Sequence, residues 1–294
     1  MRHKILSSKR VLIVGCGDVG LRTAQLLMPH YRVFGIVRST DAANILRAAG
    51  IVPVIADLDD MRSLTRIAGL ADMVMHFAPP PATGGVDTRT QHLLAMLARH
   101  QVKRLIYIST SGVYGDCNGA YIDETRTPCP VNARAVRRVN AEQQLRQFAR
   151  RTGVSVSILR VPGIYAADRL PIARLQRGTP ILRAQDDVYS NHIHADDLAM
   201  IAVRALHRGA NCRVYHASDD SELKMGVYFQ QVAVTYGLPM PVQISRAEAH
   251  ATLSVTQMSF MSESRRMVNQ RIKRELGVRL RYATVANLLA VLNI

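Results

Sequence analysis

The residues best suited to chemistry form a glycine loop near the start of the chain. A GxGxxG motif occupies residues 15–20, directly after the apolar segment Val11–Val14 and before a segment of helical periodicity. In that setting Gly15 permits a tight turn, Gly17 lets the backbone approach a ligand, and Gly20 permits close helix–sheet packing. Free N–H groups at the start of the helix would then hold a pyrophosphate. The loop residues expected to contact a dinucleotide are Gly15, Gly17, Asp18, Val19 and Gly20.

A basic residue follows the second apolar segment, Tyr31–Val37. A dinucleotide site for NAD usually has an acidic residue there, which binds the ribose hydroxyls. This chain has Arg38 and Ser39 instead. A guanidinium matches the charge and geometry of a 2′-phosphate, so the sequence predicts a preference for NADP, with NAD as the alternative cofactor. The competing interpretation is that Arg38 is an ordinary solvated arginine.

Apolar and helical segments alternate through the first half of the chain. The predicted strands are Val11–Val14, Tyr31–Val37, Ile51–Ile55, Met73–Phe77, Leu105–Ser109 and Val154–Leu159. The predicted helices lie near residues 19–28, 41–49, 60–68, 88–100 and 132–151. This alternation predicts an α/β fold, namely a doubly wound parallel sheet of the Rossmann type with helices on both faces.

The strict alternation fades after residue 165. A helix is predicted over Ala195–His207, a short strand over Cys212–Ala217, and further helices near residues 222–236, 262–275 and 283–292. We therefore expect a nucleotide-binding domain over residues 1–165 and a smaller, mostly helical C-terminal lobe over residues 166–294. A ligand cleft would lie between them, at the carboxyl ends of the strands.

Composition excludes several classes of protein. The chain has 294 residues, 48% of them hydrophobic, which is too apolar for a disordered protein. No apolar run approaches the roughly 18 residues of a membrane span. The four cysteines are scattered and lack metal-ligand spacing, so we expect a cytoplasmic location and no metal site.

The net charge of +16 raises the question of a nucleic-acid partner. It comes from 33 arginines and five lysines, which are spread along the chain without a nucleic-acid-binding motif. The denser stretches, 134–151 and 265–281, have the pattern of helices with solvated basic faces. A small-molecule ligand is therefore a more suitable partner than nucleic acid.

Several further segments resemble motifs of the extended or atypical short-chain dehydrogenases/reductases, in the NAD-dependent epimerase/dehydratase group. They are Asp57-Leu58, residues 75–79, residues 109–115, Arg160–Tyr165, residues 191–198 and residues 265–276. The resemblance covers nearly the whole chain. It implies that residues 191–218 pack back on the first domain. Beyond the glycine loop, Arg38 and Ser39, it implies cofactor contacts from Asp57, Leu58, Phe77, Ala78, Pro79 and Pro162.

The resemblance breaks at the residues that carry the family's chemistry. That chemistry uses a hydroxyl that orients the substrate, a Tyr that exchanges a proton, and a Lys four residues later that binds the nicotinamide ribose. The hydroxyl corresponds to Thr110, while the Tyr and Lys positions correspond to Arg134 and Arg138. Arg138 can still bind ribose hydroxyls, but Arg134 cannot shuttle a proton because guanidinium stays protonated. Alternatively, both are solvated helix residues, with Arg138 paired to Glu142.

Other residues near the expected nicotinamide could contact a substrate. Tyr165 follows the strand-six segment, and His192 and His194 alternate along a short extended segment. A neutral imidazole titrates in a useful range, although a histidine just before a helix is more often a capping residue. The sequence does not assign the general acid to any of them.

Three functions remain open from the sequence. The first is an atypical NADP-dependent oxidoreductase or epimerase acting on a small metabolite, with a nucleotide sugar as one candidate. The second is a sensor or regulatory module that binds NADP without turnover, which the missing Tyr-xxx-Lys pair favours. The third, a nucleic-acid-associated scaffold, has only the charge in its favour. The sequence does not determine the oligomeric state, and a homodimer is one candidate.

Overall fold

The computed structural model describes residues 9–292, apart from the side chains of residues 255, 256 and 260. Its strands are β1 (Arg10–Val14), β2 (Arg32–Val37), β3 (Val52–Ile55), β4 (Met73–His76), β5 (Arg104–Thr110), β6 (Tyr121–Ile122), β7 (Ser155–Val161), β8 (Gly163–Tyr165), β9 (Ile181–Leu182), β10 (Tyr189–Ser190), β11 (His192–His194), β12 (Arg213–His216), β13 (Leu223–Lys224), β14 (Gln243–Ile244) and β15 (Arg266–Met267). Its α-helices are α1 (Asp18–Leu27), α2 (Thr40–Ala48), α3 (Thr88–Leu97), α4 (Ala133–Thr152), α5 (Ile172–Gln176), α6 (Ala195–Arg208), α7 (Met225–Thr235), α8 (Arg246–Thr252), α9 (Val255–Phe260), α10 (Gln270–Leu276) and α11 (Val285–Val291).

A seven-stranded parallel sheet forms the centre of the fold. The strand order is β12-β7-β5-β4-β1-β2-β3, and each neighbouring pair runs parallel. The chain order reverses between β1 and β4, and ligands bind in the crevice at such a point in open α/β sheets. The predicted doubly wound Rossmann fold is confirmed.

Alternate residues of each central strand face opposite layers of the core. In β1, Val11 and Ile13 pack with the helices α1 and α6. Leu12 and Val14 face the other way, into the cluster that contains apolar residues of α3 and α4. Both faces are therefore buried, which explains why the strand segments are almost continuously apolar.

The C-terminal half contributes to the central sheet and also forms a separate lobe. β12 adds to the edge of the sheet beside β7, and α6 packs against α1. The lobe has its own apolar cluster, in which Tyr165 and Phe229 pack with residues of α5, α7 and α11. The boundary at residue 165 remains a prediction, since the chain crosses between sheet and lobe more than once.

The helical segment predicted near residues 60–68 is shorter than expected. The structure has a 3-10 helix there, Ser63–Ile67, and no α-helix. The Ser63 hydroxyl donates to the carbonyl oxygens of Asp57 (3.1 Å) and Asp60 (2.8 Å). Side-chain bonds of this kind compete with helical hydrogen bonding, so the apolar spacing alone overstated the helix.

The helix predicted near residues 262–275 is wrong in its first half, because α10 begins only at Gln270. Residues 266–267 instead form β15, which pairs with β6. The Arg266 and Val268 amides donate to the carbonyls of Ala120 and Ile122 at 2.9 Å each. This pairing links segments about 145 positions apart, so local periodicity could not reveal it.

Candidate functional site

The glycine loop joins β1 to α1 at the reversal point of the sheet. Gly15 has φ of +89°, and a Cβ there would lie 2.5 Å from the backbone nitrogen of Ala78. A Cβ at Gly20 would lie 2.9 Å from the Gly15 carbonyl oxygen, whereas one at Gly17 would meet nothing within 4 Å. The backbone at Gly17, which caps α1, is therefore open to a ligand. An open backbone at a helix N-terminus suits a pyrophosphate.

A cleft of about 980 Å³ surrounds this loop, and we call it the cofactor cleft. The structure brings thirteen of the predicted cofactor residues to its wall: Gly15, Gly17, Asp18, Val19, Gly20, Arg38, Ser39, Asp57, Leu58, Phe77, Ala78, Pro79 and Arg138. These residues come from the ends of several strands, so the sheet collects them at one edge. Their arrangement fits an extended dinucleotide.

The far end of the cofactor cleft is basic. Arg38 is exposed there, and the Ser39 hydroxyl accepts a bond from the Ala42 amide at the start of α2. Arg89, which the sequence interpretation missed, also lines the cleft and pairs with Asp59 at 2.6 Å. Hydrogen bonds from Arg89 lower the pKa of the Asp59 carboxyl below its ordinary value. Arg89 thus has a carboxylate partner, and the charge of Arg38 also lowers the pKa of Asp59.

A second cavity of about 520 Å³ adjoins the carboxyl ends of β5 and β7, and we call it the substrate cavity. It is lined by the predicted residues Thr110, Arg134, Arg138, Pro162, Tyr165 and His192. Ile108, Arg138 and Ile164 line both spaces. The two spaces therefore meet at these three residues.

Arg138 stands at that junction and is held in place by the sheet. Its Nη1 donates to the Ile108 carbonyl at 2.7 Å and to the Tyr107 hydroxyl at 3.0 Å. Asn132 caps the N-terminus of α4 by accepting from the Ala135 amide, which fixes where this helix begins. The helix thus places Arg134 and Arg138 one turn apart on the cavity wall.

Glu142, one turn further along α4, forms an ion pair with Arg160. Its carboxylate accepts from Arg160 Nε at 3.0 Å and Nη2 at 2.7 Å, and from the Ser109 hydroxyl at 2.7 Å. Glu142 and Arg160 are both buried. The alternative in which Glu142 pairs with Arg138 is therefore not the arrangement seen.

The same buried network continues to the edge strand β12. Arg160 Nη1 donates to the Tyr114 hydroxyl at 2.7 Å, and Tyr114 in turn donates to His216 Nε2 at 2.5 Å. His216 Nδ1 lies 3.0 Å from the Val268 carbonyl, so it carries the proton. Burial lowers the pKa of His216 to about 3, which keeps it neutral. Tyr114 is therefore a structural tyrosine.

Tyr165 lies between the imidazoles of β11. Its ring centroid is 6.2 Å from that of His192 and 5.3 Å from that of His194. His194 Nδ1 accepts the Asp196 amide and caps α6, which is the capping role weighed for it. His192 lines the substrate cavity, and burial lowers its pKa to about 4, so it is neutral near pH 7.

Asp219 lies beside Tyr165, and the sequence interpretation did not identify it. It is 4% exposed, and its Oδ1 accepts the Ser221 amide at 2.9 Å. The Tyr165 hydroxyl interacts with this carboxyl group and lowers its pKa, against the larger effect of burial. Burial raises the pKa of Asp219 to about 7. Asp219 follows β12 and meets β8 only through the fold, so no local motif identifies it.

Comparison with known proteins places the chain in a family. The NAD dependent epimerase/dehydratase family matches residues 11–217. The chain belongs to this family. The matched range includes the glycine loop, Arg134 and Arg138 of α4 and the β11 histidines, so the resemblance seen in the sequence is confirmed.

Individual relatives in this family are distant. The chain is 26% identical over 247 residues to Protein YeeZ of Escherichia coli (strain K12), covering 79% of this chain and 86% of that protein. It is 29% identical over 178 residues to a probable UDP-arabinose 4-epimerase of Arabidopsis thaliana, covering 52% of this chain and 43% of that protein. The match thus spans less than half of the plant epimerase.

Two solved structures share the fold over nearly the whole chain. A functionally unknown conserved protein from Silicibacter pomeroyi has a TM-score of 0.83 at 29% identity, covering 97% of this chain and 98% of that chain. A UDP-glucose 4-epimerase from Thermotoga maritima, solved with UDP-glucose, has a TM-score of 0.78 at 18% identity, covering 97% and 96%. At 18% identity, the similarity to the Thermotoga maritima enzyme shows a shared fold and no more.

Two other features bear on ligands. Within residues 9–292, no helix is long and apolar enough to cross a membrane. In the same range, the structure gathers no group of three or more His, Cys, Asp or Glu residues suited to a metal ion. The cofactor cleft and the substrate cavity are therefore the candidate ligand sites.

Proposed function

We propose that this epimerase/dehydratase family protein is an atypical NADP-dependent oxidoreductase or epimerase, acting on a small molecule in the substrate cavity. The supporting observation is that the cofactor cleft adjoins that cavity, with Ile108, Arg138 and Ile164 lining both. A dinucleotide with its pyrophosphate at Gly17 would extend along the cleft toward this junction. A protein that only stored the dinucleotide would not need a second cavity beside its reactive end.

The residues of the cofactor cleft suit NADP in three places. The α1 N-terminus would hold the pyrophosphate, Arg38 the 2′-phosphate, and Arg138 the hydroxyls of the nicotinamide ribose. When bound, the nicotinamide supplies hydride chemistry at its ring. Pro162 and Tyr165 lie on the wall where that ring would meet the substrate.

On the substrate side, the Thr110 hydroxyl is placed to orient a substrate oxygen. Its Oγ1 accepts the Gly112 amide at 3.3 Å, which leaves its own proton to donate into the cavity. Arg134 would hold negative charge and cannot exchange a proton. Proton exchange would then fall to neutral His192, with Tyr165 and Asp219 behind it.

A sensor that binds NADP without turnover is the second candidate. The observation that favours it is Arg134 itself, since guanidinium occupies the place where the family has its proton-exchanging Tyr. In this case the substrate cavity would hold an effector whose binding changes the affinity for the dinucleotide.

Titration and turnover separate these functions. We expect NADPH to bind more tightly than NADH, and its absorbance to change on addition of a carbonyl compound or a nucleotide sugar from a panel. Equal or tighter binding of NADH would overturn the NADP preference. An Arg134→Tyr/Arg138→Lys double variant that gains turnover from an inactive parent would support the sensor.

A further inference from the structure

Four of the seven strands of the central sheet begin with an arginine. They are Arg213 of β12, Arg104 of β5, Arg10 of β1 and Arg32 of β2. Because the sheet is parallel, these residues all lie at its amino edge, and each is exposed or half-buried. At about 4.8 Å between neighbouring strands, this arginine row extends over about 24 Å. No motif marks it in the sequence, because only the sheet brings the four residues together.

The arginine row has little compensating negative charge. Arg10 and Arg32 are register partners on β1 and β2, so two like charges lie side by side. Within residues 9–292, Arg213 is the one member of the row that forms an ion pair, and its partner is Glu275. Asp72, directly before β4, is an acidic residue at the same edge. Like charges on neighbouring strands destabilise a sheet, so an anion from outside the chain would stabilise this edge.

The C-terminal end of α6 extends the basic surface beside the arginine row. Arg104 donates from Nη1 to the Gly209 carbonyl at 3.0 Å, which joins the end of the helix to β5. Burial lowers the pKa of His207 in the last turn of α6, and nearby cations lower it further. These cations are Arg104, Lys9, Arg204 and His30. Basic residues near a helix C-terminus offset the helix dipole, but the start of a strand has no comparable dipole to explain its arginine.

The linear arrangement of the charges indicates the kind of partner. A guanidinium binds a phosphate in bidentate fashion, and a nucleic-acid strand presents its phosphates as a linear series. A membrane presents a plane of charge, and proteins that bind one usually add apolar or tryptophan anchors, whereas this chain has no tryptophan. We therefore infer that the arginine row binds the backbone of a single-stranded nucleic acid.

The arginine row is separate from both candidate ligand sites. None of its four members lines the cofactor cleft or the substrate cavity, which lie at the carboxyl ends of the strands. A dinucleotide in the cleft would therefore leave the row uncovered. We expect NADPH and a nucleic-acid strand to bind at the same time.

Fluorescence anisotropy on the full chain tests this inference. The probe is a fluorescein-labelled DNA single strand of mixed sequence and about 20 nucleotides. Each phosphate contact on a single strand contributes about −0.7 to the slope of log K against log salt, so four contacts predict a slope of about −2.8. The affinity should then fall by about 50-fold between 50 and 200 mM salt.

An Arg10→Gln/Arg32→Gln variant separates the arginine row from the general charge of the protein. It should bind the strand at least about 10-fold more weakly than the parent at 50 mM salt, with a slope shallower by about 1.4. The matched control is Arg126→Gln/Arg177→Gln, which removes the same charge at exposed positions outside the row. The control should bind within about 2-fold of the parent. Circular dichroism checks that each variant folds, and Arg32→Gln alone, at an exposed position, gives the same comparison with about half the change in slope.

Three results would overturn the inference. The first is the absence of saturable binding at 50 mM salt up to about 100 µM protein. The second is an equal loss of affinity in the row variant and in the control, since binding would then follow net charge alone. The third comes from vesicles of phosphatidylcholine with about 30% phosphatidylserine, if they bind through the row while the DNA strand does not.

An NADPH titration keeps this inference apart from the proposed function. Arg10→Gln/Arg32→Gln should bind NADPH as the parent does, because neither residue lines the cofactor cleft. Binding of the strand without binding of NADPH contradicts the proposed function alone. Binding of NADPH without binding of the strand contradicts the role of the arginine row alone.

Discussion

Replacing Asp219 with asparagine should change how stability depends on pH. The carboxyl group is buried, and burial raises its pKa from 3.8 to about 7. Asparagine keeps an oxygen that can accept the Ser221 amide, and its amide group can still hydrogen-bond the Tyr165 hydroxyl that interacts with the carboxyl group. The Asp219→Asn variant thus removes a titrating group while retaining its shape.

The sign and size follow from proton linkage. Below pH 3.8 both the folded and unfolded states hold the proton, so the group costs nothing. Between pH 3.8 and 7 the unfolded state ionises while the folded state stays protonated, and the free energy of unfolding falls as pH rises. Each pKa unit is worth about 1.4 kcal/mol, so the full loss is about 4 kcal/mol, of which about 3 kcal/mol falls between pH 5 and 8.

Urea denaturation at pH 5, 6, 7 and 8, with circular dichroism as the signal, measures the free energy of unfolding at each pH. The stability of Asp219→Asn relative to the parent should rise by about 3 kcal/mol across the series, whatever its value at pH 5. Asp41→Asn, at an exposed position, controls for the loss of a carboxylate in general. Parallel pH profiles for the parent and Asp219→Asn would refute the reasoning.

Three further variants test other parts of the account. Arg38→Asp should weaken NADPH binding by roughly 10- to 100-fold and spare NADH in a fluorescence titration, and an unchanged preference would contradict the 2′-phosphate role. Gly15→Ala should lower the free energy of unfolding by at least about 1–3 kcal/mol, because φ is +89° and the new Cβ meets Ala78; equal urea midpoints would contradict this. Glu142→Gln should cost about 3–5 kcal/mol by leaving Arg160 buried without its charged partner, and a melting temperature within a degree or two of the parent would contradict it.

The sequence predicted site residues best where the residues that form the site are neighbours in the chain. The glycine loop needs a tight turn, an open backbone and a close helix, and each requirement falls on one residue within six positions. Arg38 could be recognised for the same reason, since it follows β2 directly. Strand and helix periodicity likewise predicted the sheet, because both of its faces are covered.

Residues that act through long-range contacts could not be recognised. Asp219 has no motif around it, and only the fold brings it beside Tyr165 on the wall of the substrate cavity. The helix predicted near residues 262–275 was wrong for a related reason, because pairing with β6 overrode the local pattern. Burial and long-range contacts, which a sequence does not show, identified these positions.

We propose above all that a dinucleotide lies with its pyrophosphate against Gly17. A side chain at this position meets nothing within 4 Å of its Cβ, so Gly17→Val should fold with a stability loss of only about 1 kcal/mol, as expected for a poorer helix cap. The new side chain would occupy the space that the pyrophosphate needs. A titration of NADPH fluorescence should therefore show saturable binding to the parent and none to a folded Gly17→Val variant. Equal affinity in the two proteins would contradict the account.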